Sequence, residues 1–320
     1  MTRMQRVCIL GGSGFVGRHI ANRLHDRGIH SRIPTSYRER TKQILVVPGL
    51  ELIQANIHEP GRLHELFAEC DAVINLVGIL NEKGFDGSGF HHAHVELTDK
   101  VLTACRETGV RRLLHMSALG ADAENGPSYY QRTKGEAEQH VLAAAGEMDV
   151  TVFRPSVIFG PEDNFFNQFA SLLKLSPGVF PLPTPKARFS PVYVGDVVEA
   201  FVNALQDRDT FGKSYDLCGP ETFTLEELVR YTARTAGIRR AVWPCGDRLS
   251  RLQAKVLQRV PGKPYSMDNY LSATVDNVCA VNNLPQLGIR PTAMEAVVPG
   301  YLGKKTERAR YNQFRQMARR

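Results

Sequence analysis

The stretch "ILGGSGFVGRHIANRL" (residues 9–24) decides the fold. It sets Gly11, Gly14 and Gly17 directly after an apolar, β-type run, "RVCIL" (residues 6–10), and at the opening of a helical pattern. Glycine at the first place gives the turn its backbone angles, at the second lets the chain approach a pyrophosphate, and at the third allows close helix packing. The N-terminus of the helix then faces the anion. Strand, glycine turn and helix in this order predict a dinucleotide-binding loop.

Further along, the apolar runs "ELIQA", "DAVINLV", "RRLLHMS" and "DVTVFRP" alternate with longer segments such as residues 63–69 and 95–107. Such alternation predicts successive βαβ units, and so an α/β fold with a doubly wound parallel sheet covered on both faces. After Arg154-Pro155 the texture turns proline-rich, with "PLPTPKARFSP" as the clearest loop, and helical patterns return at residues 195–205, 224–235 and 247–260. The expected division is a nucleotide-binding domain over residues 1–155, to which the chain returns around 191–218, and a smaller C-terminal substrate lobe over 156–320. No internal repeat or low-complexity tract interrupts it.

The composition is 42% hydrophobic and 23% charged over 320 residues. That is ordinary for a globular chain, and no apolar run approaches the ~20 residues that a membrane span needs. The net charge of +7 is uneven, because residues 303–320 hold seven Lys or Arg against one Glu. A basic tail of this kind seeks phosphate, on nucleic acid or on anionic lipid. Cys8, Cys70, Cys105, Cys218, Cys245 and Cys279 form no C-x-x-C pair, and several lie in apolar stretches where free thiols pack as small hydrophobes. A reduced, cytosolic setting is expected from this usage. The N-terminal residues run almost directly into the expected first strand, so no leader is expected.

An NAD site usually carries an acid about 20 residues past the glycine loop, at the end of the second strand. Here the region reads "SRIPTSYRER", where Arg32, Arg38 and Arg40 outnumber Glu39. A 2′-phosphate would meet cations there, so NADP(H) is the expected coenzyme, with NAD(H) as the alternative.

In "GPSYYQRTKGEAE" (residues 126–138), Tyr130 and Lys134 are four apart and share one helix face. A phenol with pKa near ~10 is a poor base until a neighbouring ammonium favours its ionised form; it can then exchange a proton with a substrate oxygen while hydride moves. Tyr129 has only Thr133 at that spacing. Ser117 closes the "RRLLHMS" strand, where ligands gather in open α/β sheets, and its hydroxyl could hold the same oxygen.

"GGSGFVG", Ser117 and "YQRTK" together resemble the extended or atypical short-chain dehydrogenase/reductase superfamily. "DAVINLVGIL", "FRPSVIFGPEDNFFNQFA", "PVYVGDVVEAF" and "LGIRPTAMEAVVPGYLG" are similar to bacterial relatives of the nucleotide-binding accessory subunit of respiratory complex I. The resemblance runs over nearly the whole chain. It implies a Rossmann domain with a small substrate lobe, bound NADP(H) or NAD(H), and a link to a respiratory-complex partner or to quinone-like substrates. By position, Ser117, Tyr130 and Lys134 match the superfamily's catalytic serine, tyrosine and lysine, with Lys134 also on the nicotinamide ribose. Gly11, Gly14, Phe15, Val16 and Gly17 fall on the coenzyme loop, Ser36 and Arg38 on the ribose-phosphate end, and Asn56 and Ile57 beside the adenine. Leu76, Val77 and Gly78 of "NLVG", and Pro155, complete the expected coenzyme contacts. Two positions depart from the pattern: His94 stands where such proteins often have Asn, and Ser36 where this subgroup often has Arg.

Three readings of function stay open: an oxidoreductase acting on a carbonyl or alcohol, a non-catalytic NADP(H)-binding protein of a respiratory complex, and a sugar-nucleotide epimerase or dehydratase using transient hydride transfer. His91, His92 and His94 of "FHHAHVE" lack a second ligand cluster, so no metal is expected. No serine elbow, P-loop lysine or H-E-x-x-H occurs, and Asp196 reads as a helix-start residue. In "DRLSRLQAKVLQRV" (residues 247–260), Arg248, Arg251, Lys255 and Arg259 share one face, and Leu249, Leu252, Val256 and Val260 another. That pattern fits either a helix packed on its own lobe or one lying at a membrane interface. With the tail, it makes an anionic membrane surface a candidate partner for a cytoplasmic protein visiting the inner face. Nucleic acid is not expected, because no aromatic platform accompanies the charge.

Overall fold

The structure, a computed structural model, describes residues 4–45 and 47–303. In chain order the first half runs β1 (Arg6–Leu10), α1 (Phe15–Asp26), β2 (His30–Thr35), β3 (Leu50–Gln54), α2 (Arg62–Phe67), β4 (Ala72–Asn75), α3 (Ser88–His91), α4 (Leu97–Thr108), β5 (Arg112–Met116), α5 (Tyr129–Ala143) and β6 (Asp149–Pro155). The second half runs β7 (Ile158–Phe159), α6 (Phe166–Leu175), β8 (Val179–Leu182), β9 (Arg188–Phe189), β10 (Val192–Tyr193), α7 (Val194–Ala204), β11 (Lys213–Leu217), β12 (Phe223–Thr224), α8 (Leu225–Thr235), β13 (Ala241–Pro244), α9 (Asp247–Leu257), α10 (Met267–Ser272) and α11 (Met294–Leu302).

One sheet takes the order β11-β6-β5-β4-β1-β2-β3, and every neighbouring pair in it is parallel. A parallel sheet is covered on both faces, which is why Val7, Cys8, Ile9 and Leu10 form an unbroken apolar run and are all fully buried. On one face Cys8 and Leu10 pack with Phe67 of α2, Leu97 and Val101 of α4 and Val141 of α5. This is the doubly wound α/β architecture that the alternation predicts. The strand order reverses between β1 and β4, so the crevice for a ligand opens at the carboxyl ends of those strands.

The chain divides into two compact units. The first holds the residues up to Pro155 with Val197–Leu217 and Asn282–Ile289. Buried Arg112 of β5 draws Val197–Leu217 in, donating from Nε to the Leu205 carbonyl (3.2 Å) just past α7 and from Nη2 to Thr210 Oγ1 (3.1 Å). Asn283 brings in the last segment by exchanging two hydrogen bonds with the Asp216 backbone, at 2.8 and 2.9 Å.

The second unit comprises Ser156–Asp196, Cys218–Val281 and the residues from Arg290 on. It is built on three short strand pairs, β7 with β10, β9 with β12 and β8 with β13. Helix α8 supplies its buried stripe through Leu225, Leu228, Val229 and Ala233. A capping box between Thr224 and Glu227 starts that helix, a contact worth about 1 kcal/mol. Asp196 accepts from the Thr292 backbone N–H (2.7 Å) and hydroxyl (2.9 Å), which gives its carboxylate a structural task.

The cysteine reading needs correction. Cys8, Cys70, Cys105 and Cys245 are buried free thiols, but Cys218 and Cys279 form a disulfide across 61 residues. The Gly219 N–H donates to the Ser190 carbonyl and the Ser190 N–H to that of Asn277, so two distant loops are laced side by side. Spacing in the sequence carries no trace of that pairing, and cysteine usage therefore no longer points to a reducing compartment. Among the described residues no helix is long and apolar enough to cross a membrane. The basic segment from residue 304 on lies outside the described residues.

Candidate functional site

The candidate site belongs wholly to the first unit, at the carboxyl ends of its strands. Gly11 follows β1 with φ +75, and a β-carbon there would sit 3.2 Å from the Leu76 backbone that follows β4. Gly14 is the N-cap of α1, where no side chain caps the helix and no acid occupies the first turn. At Gly17 a β-carbon would lie 2.4 Å from the Gly12 Cα, so α1 can approach the turn only if this position is glycine. Gly12, which the sequence reading passed over, is equally constrained by the Ile9 carbonyl at 2.8 Å, and its signal was the doubled glycine of "GGSG". The result is a backbone cradle ending on uncapped helix amides, the chemistry that a pyrophosphate requires. Phe15 and Val16 form the first turn of α1.

At the next strand ends, Ser36 and Arg38 are exposed just past β2, and no acid lies between Thr35 and Arg38. Arg32 does not join them, and this part of the coenzyme reading is corrected. Its side chain is drawn inward, bonded to Glu51 (2.8 Å) and to the carbonyls of Leu66 (3.0 Å) and Ala68 (2.9 Å), because it stands at the third residue of β2 rather than at its end. The side chain of Arg40 lies outside the described residues. Asn56, exposed after β3, spends its amide oxygen on the His58 N–H (3.1 Å), with half-buried Ile57 between them.

Helix α5 begins at Ser128, whose Oγ accepts from the Gln131 N–H. It buries polar residues, Gln131, Thr133, Lys134 and Glu138 among them. The Lys134 ammonium donates to the Met116 carbonyl at the end of β5 (2.9 Å) and to the Val77 carbonyl after β4 (3.2 Å), and a β-carbon on Gly78 would lie 3.1 Å from Nζ. Burial lowers its pKa to about 8, although Glu138 one turn on pulls the other way. Glu138 is itself paired with Arg154. Ser117 follows Met116 directly; its hydroxyl is buried and meets no hydrogen-bond partner among the described residues. Tyr130 is half-buried one turn before Lys134, with its ring edge-on to His94 (5.6 Å) and Phe90 (6.2 Å). Pro155, buried at the end of β6, accepts from the Leu119 N–H (3.0 Å).

His94 lies in a π-type turn, His92–Glu96, between α3 and α4. Its Nε2 accepts from the Ile79 N–H (3.1 Å), so Nδ1 carries the proton and donates to Thr133 Oγ1 (2.9 Å), which in turn donates to the Tyr129 carbonyl (2.8 Å). Burial, then Lys134, pushes its pKa down to about 2 and keeps the ring neutral. His94 thus clips the loop after β4 to α5. His91 and His92 point elsewhere, to Glu96, and no group of three His, Cys, Asp or Glu among the described residues is arranged to hold a metal. The sequence reading missed His115, fully buried beside Asn75 (3.3 Å) and pushed down to about 3 by burial, then Lys134. It also missed Gly135, where a β-carbon would lie 2.3 Å from the Ala123 backbone nitrogen, so α5 can sit hard against residues 121–126.

Residues 7–218 match the family model described as "NAD dependent epimerase/dehydratase family". The chain is 31% identical over 227 residues to an Arabidopsis thaliana protein named NADH dehydrogenase [ubiquinone] 1 alpha subcomplex subunit 9, mitochondrial, covering 69% of this chain and 55% of that one. It is 30% identical over 177 residues to a Stigmatella aurantiaca protein named 4-hydroxy-2-methyl-3-oxo-4-farnesyl-3,4-dihydroquinoline-1-oxide ketoreductase, covering 50% and 52% of the two chains. The chain thus spans only about half the length of these relatives. A solved structure titled as a DesIV double mutant (dTDP-glucose 4,6-dehydratase) from Streptomyces venezuelae with NAD and DAU bound superposes over 99% of this chain and 100% of that one, with a TM-score of 0.75 at 18% identity, a likeness of fold.

Proposed function

The chain belongs to the NAD dependent epimerase/dehydratase family, and on that premise we propose that it is an NAD(P)-dependent oxidoreductase acting on a carbonyl or alcohol. The observation that carries this reading is the buried, unpartnered Ser117 hydroxyl, one residue beyond the carbonyl that Lys134 grips. Buried hydroxyls are nearly always bonded, so one left open at a strand end suits a substrate oxygen. In this proposal the amides from Gly11 through the first turn of α1 hold the pyrophosphate, and Lys134 exchanges its carbonyl contacts for the nicotinamide ribose. A bound nicotinamide supplies or accepts the hydride. Tyr130 passes a proton to or from the substrate oxygen that Ser117 orients, and the Lys134 ammonium favours the ionised phenol. NADP(H) is the proposed coenzyme, supported by exposed Arg38 and by the lack of an acid between Thr35 and Arg38; NAD(H) is the alternative. The substrate class proposed is a carbonyl compound or quinone, after the printed name of the ketoreductase relative.

The test is oxidation of NADPH by a panel of β-keto compounds and quinones, with the native chain and with Tyr130→Phe. Turnover should fall by roughly 10²–10⁴-fold while coenzyme affinity stays unchanged. Turnover that survives the substitution contradicts the proposed role.

A second reading has its own support in the name of the Arabidopsis relative, a respiratory-complex subunit. Here the chain binds its coenzyme tightly for structural or sensing reasons, with a respiratory complex as partner and a place at the cytoplasmic face of the membrane. Coenzyme that binds one per chain and turns over with no member of the panel would favour it. The epimerase or dehydratase reading predicts conversion of a sugar nucleotide with no net coenzyme consumption.

A further inference from the structure

Helix α9 buries the wrong residues for its pattern. Its buried positions are Ser250 and Ala254, with Ser250 Oγ accepting from the Thr184 N–H (3.0 Å) and Gln253 Nε2 reaching the Pro181 carbonyl (3.5 Å). Three of the larger apolar side chains face outward: Leu252 and Val256 are each 55% exposed, and Val260, in the turn that continues the helix, is 41% exposed, whereas Leu257 is half-buried, as is Leu249, which the sequence pattern grouped with the outward three. Trp243, the chain's one tryptophan, is 56% exposed on β13, paired with the same Pro181 that Gln253 reaches. Arg248, Arg251, Lys255 and Arg259 are exposed as well. At 100° per residue they form a band alongside Leu252, Val256 and Val260 on the outer side. The helix carries one acid, Asp247, and that carboxylate is taken by the Tyr270 hydroxyl (2.5 Å). A helix packed only on its own lobe would turn Leu252 and Val256 inward and leave Ser250 outside. The opposite arrangement here leaves a two-turn apolar strip edged with cations.

We propose that the outer face of α9 docks on an anionic lipid bilayer, with Leu252, Val256 and Val260 entering the headgroup boundary and Arg248, Arg251, Lys255 and Arg259 meeting lipid phosphates. Charge complementarity selects this occupant. Four cations and no free carboxylate beside an apolar strip are the make-up of interfacial helices that meet anionic lipid. The chain's own tail from residue 304 is a poor cover for the strip, because its seven Lys or Arg against one Glu would be repelled by the helix cations. The inference stands apart from the oxidoreductase reading, since α9 lies in the second unit and none of these residues belongs to the candidate site.

The full-length protein is sedimented with phosphatidylcholine vesicles and with vesicles holding about one third phosphatidylglycerol, at low salt and at ~1 M salt, where screening falls to about 3 Å. Binding should need the anionic lipid and fall with salt. Leu252→Gln/Val256→Gln and Arg248→Gln/Arg251→Gln should each lower partitioning by roughly tenfold or more, with thermal melts and coenzyme affinity unchanged. If neither variant changes vesicle binding, the tail or another surface carries it and the proposal is overturned. A native chain that ignores vesicles but self-associates, and loses that association with Leu252→Gln/Val256→Gln, also overturns it and makes the strip a protein interface.

Discussion

Helices α5 and α9 break the inside-outside rule in opposite directions. Along α5 the buried side includes Gln131, Thr133, Lys134 and Glu138, whereas along α9 Leu252 and Val256 face out over buried Ser250 and Ala254. Burying an ammonium costs free energy unless partners compensate, and for Lys134 two carbonyls and a carboxylate one turn away offset only part of that cost, which is why its pKa is depressed. Exposed apolar side chains cost the folded monomer little, so α9 can hold a strip in readiness for a partner. Inverted polarity in α5 is therefore a constraint on chemistry inside the first unit, and in α9 an opening to something outside the molecule.

The comparison predicts unequal sensitivities. The largest effect is on turnover: Lys134→Met, which removes the buried ammonium and keeps the stem, should lower it by about 10² or more, measured as NADPH oxidation with whichever panel member is active. Next is the pH dependence of stability. Because folding depresses the Lys134 pKa from 10.5 to about 8, the unfolded chain holds more protons between those values, and stability contributed by this group rises with pH across the window. Urea unfolding from pH 8 to 10.5 should show a gain of roughly 3 kcal/mol in the native chain that Lys134→Met lacks, while activity falls over the same range. An equal slope in both proteins would mean that Lys134 is not buried as an ammonium.

His94 and His115 give the same sign in an acid window. Both are depressed from 6.5, to about 2 and about 3, so the stability they contribute is present above pH 6.5 and lost as pH falls below it. His94→Leu should flatten part of that acid loss and, by stranding the Ile79 N–H, cost about 1–3 kcal/mol at pH 7, read from the shift in urea midpoint. The smallest effect belongs to α9: Leu252→Gln/Val256→Gln should alter unfolding free energy by no more than about 0.5 kcal/mol per site, since both side chains already face water. A larger loss would return α9 to the ordinary packed class.

Much of the first unit is legible because its signals are local. The glycine spacing after "RVCIL" states the turn, unbroken apolar runs state a sheet buried on both faces, and a four-residue step places Tyr130 and Lys134 on one face. What escaped notice depends on contacts between residues far apart in the sequence. Arg32 reads as a strand-end cation until Glu51 and the carbonyls of Leu66 and Ala68 draw it inward. The Cys218–Cys279 bond depends on Ser190 lacing two loops, and Asn283 joins the first unit through Asp216, a partner 67 residues away. In α9 periodicity identified both faces, but which one packs is decided by Thr184 and Pro181 meeting Ser250 and Gln253.

Titration calorimetry on the coenzyme-stripped full chain, beside Gly11→Val, tests the central claim most directly. Gly11 holds φ +75 against the Leu76 backbone, so valine there should close the cradle. Saturable heat from NADPH or NADH, one per native chain and absent from a folded Gly11→Val, is the predicted result. No heat from the native chain with either coenzyme, or equal heat from both proteins, would contradict it.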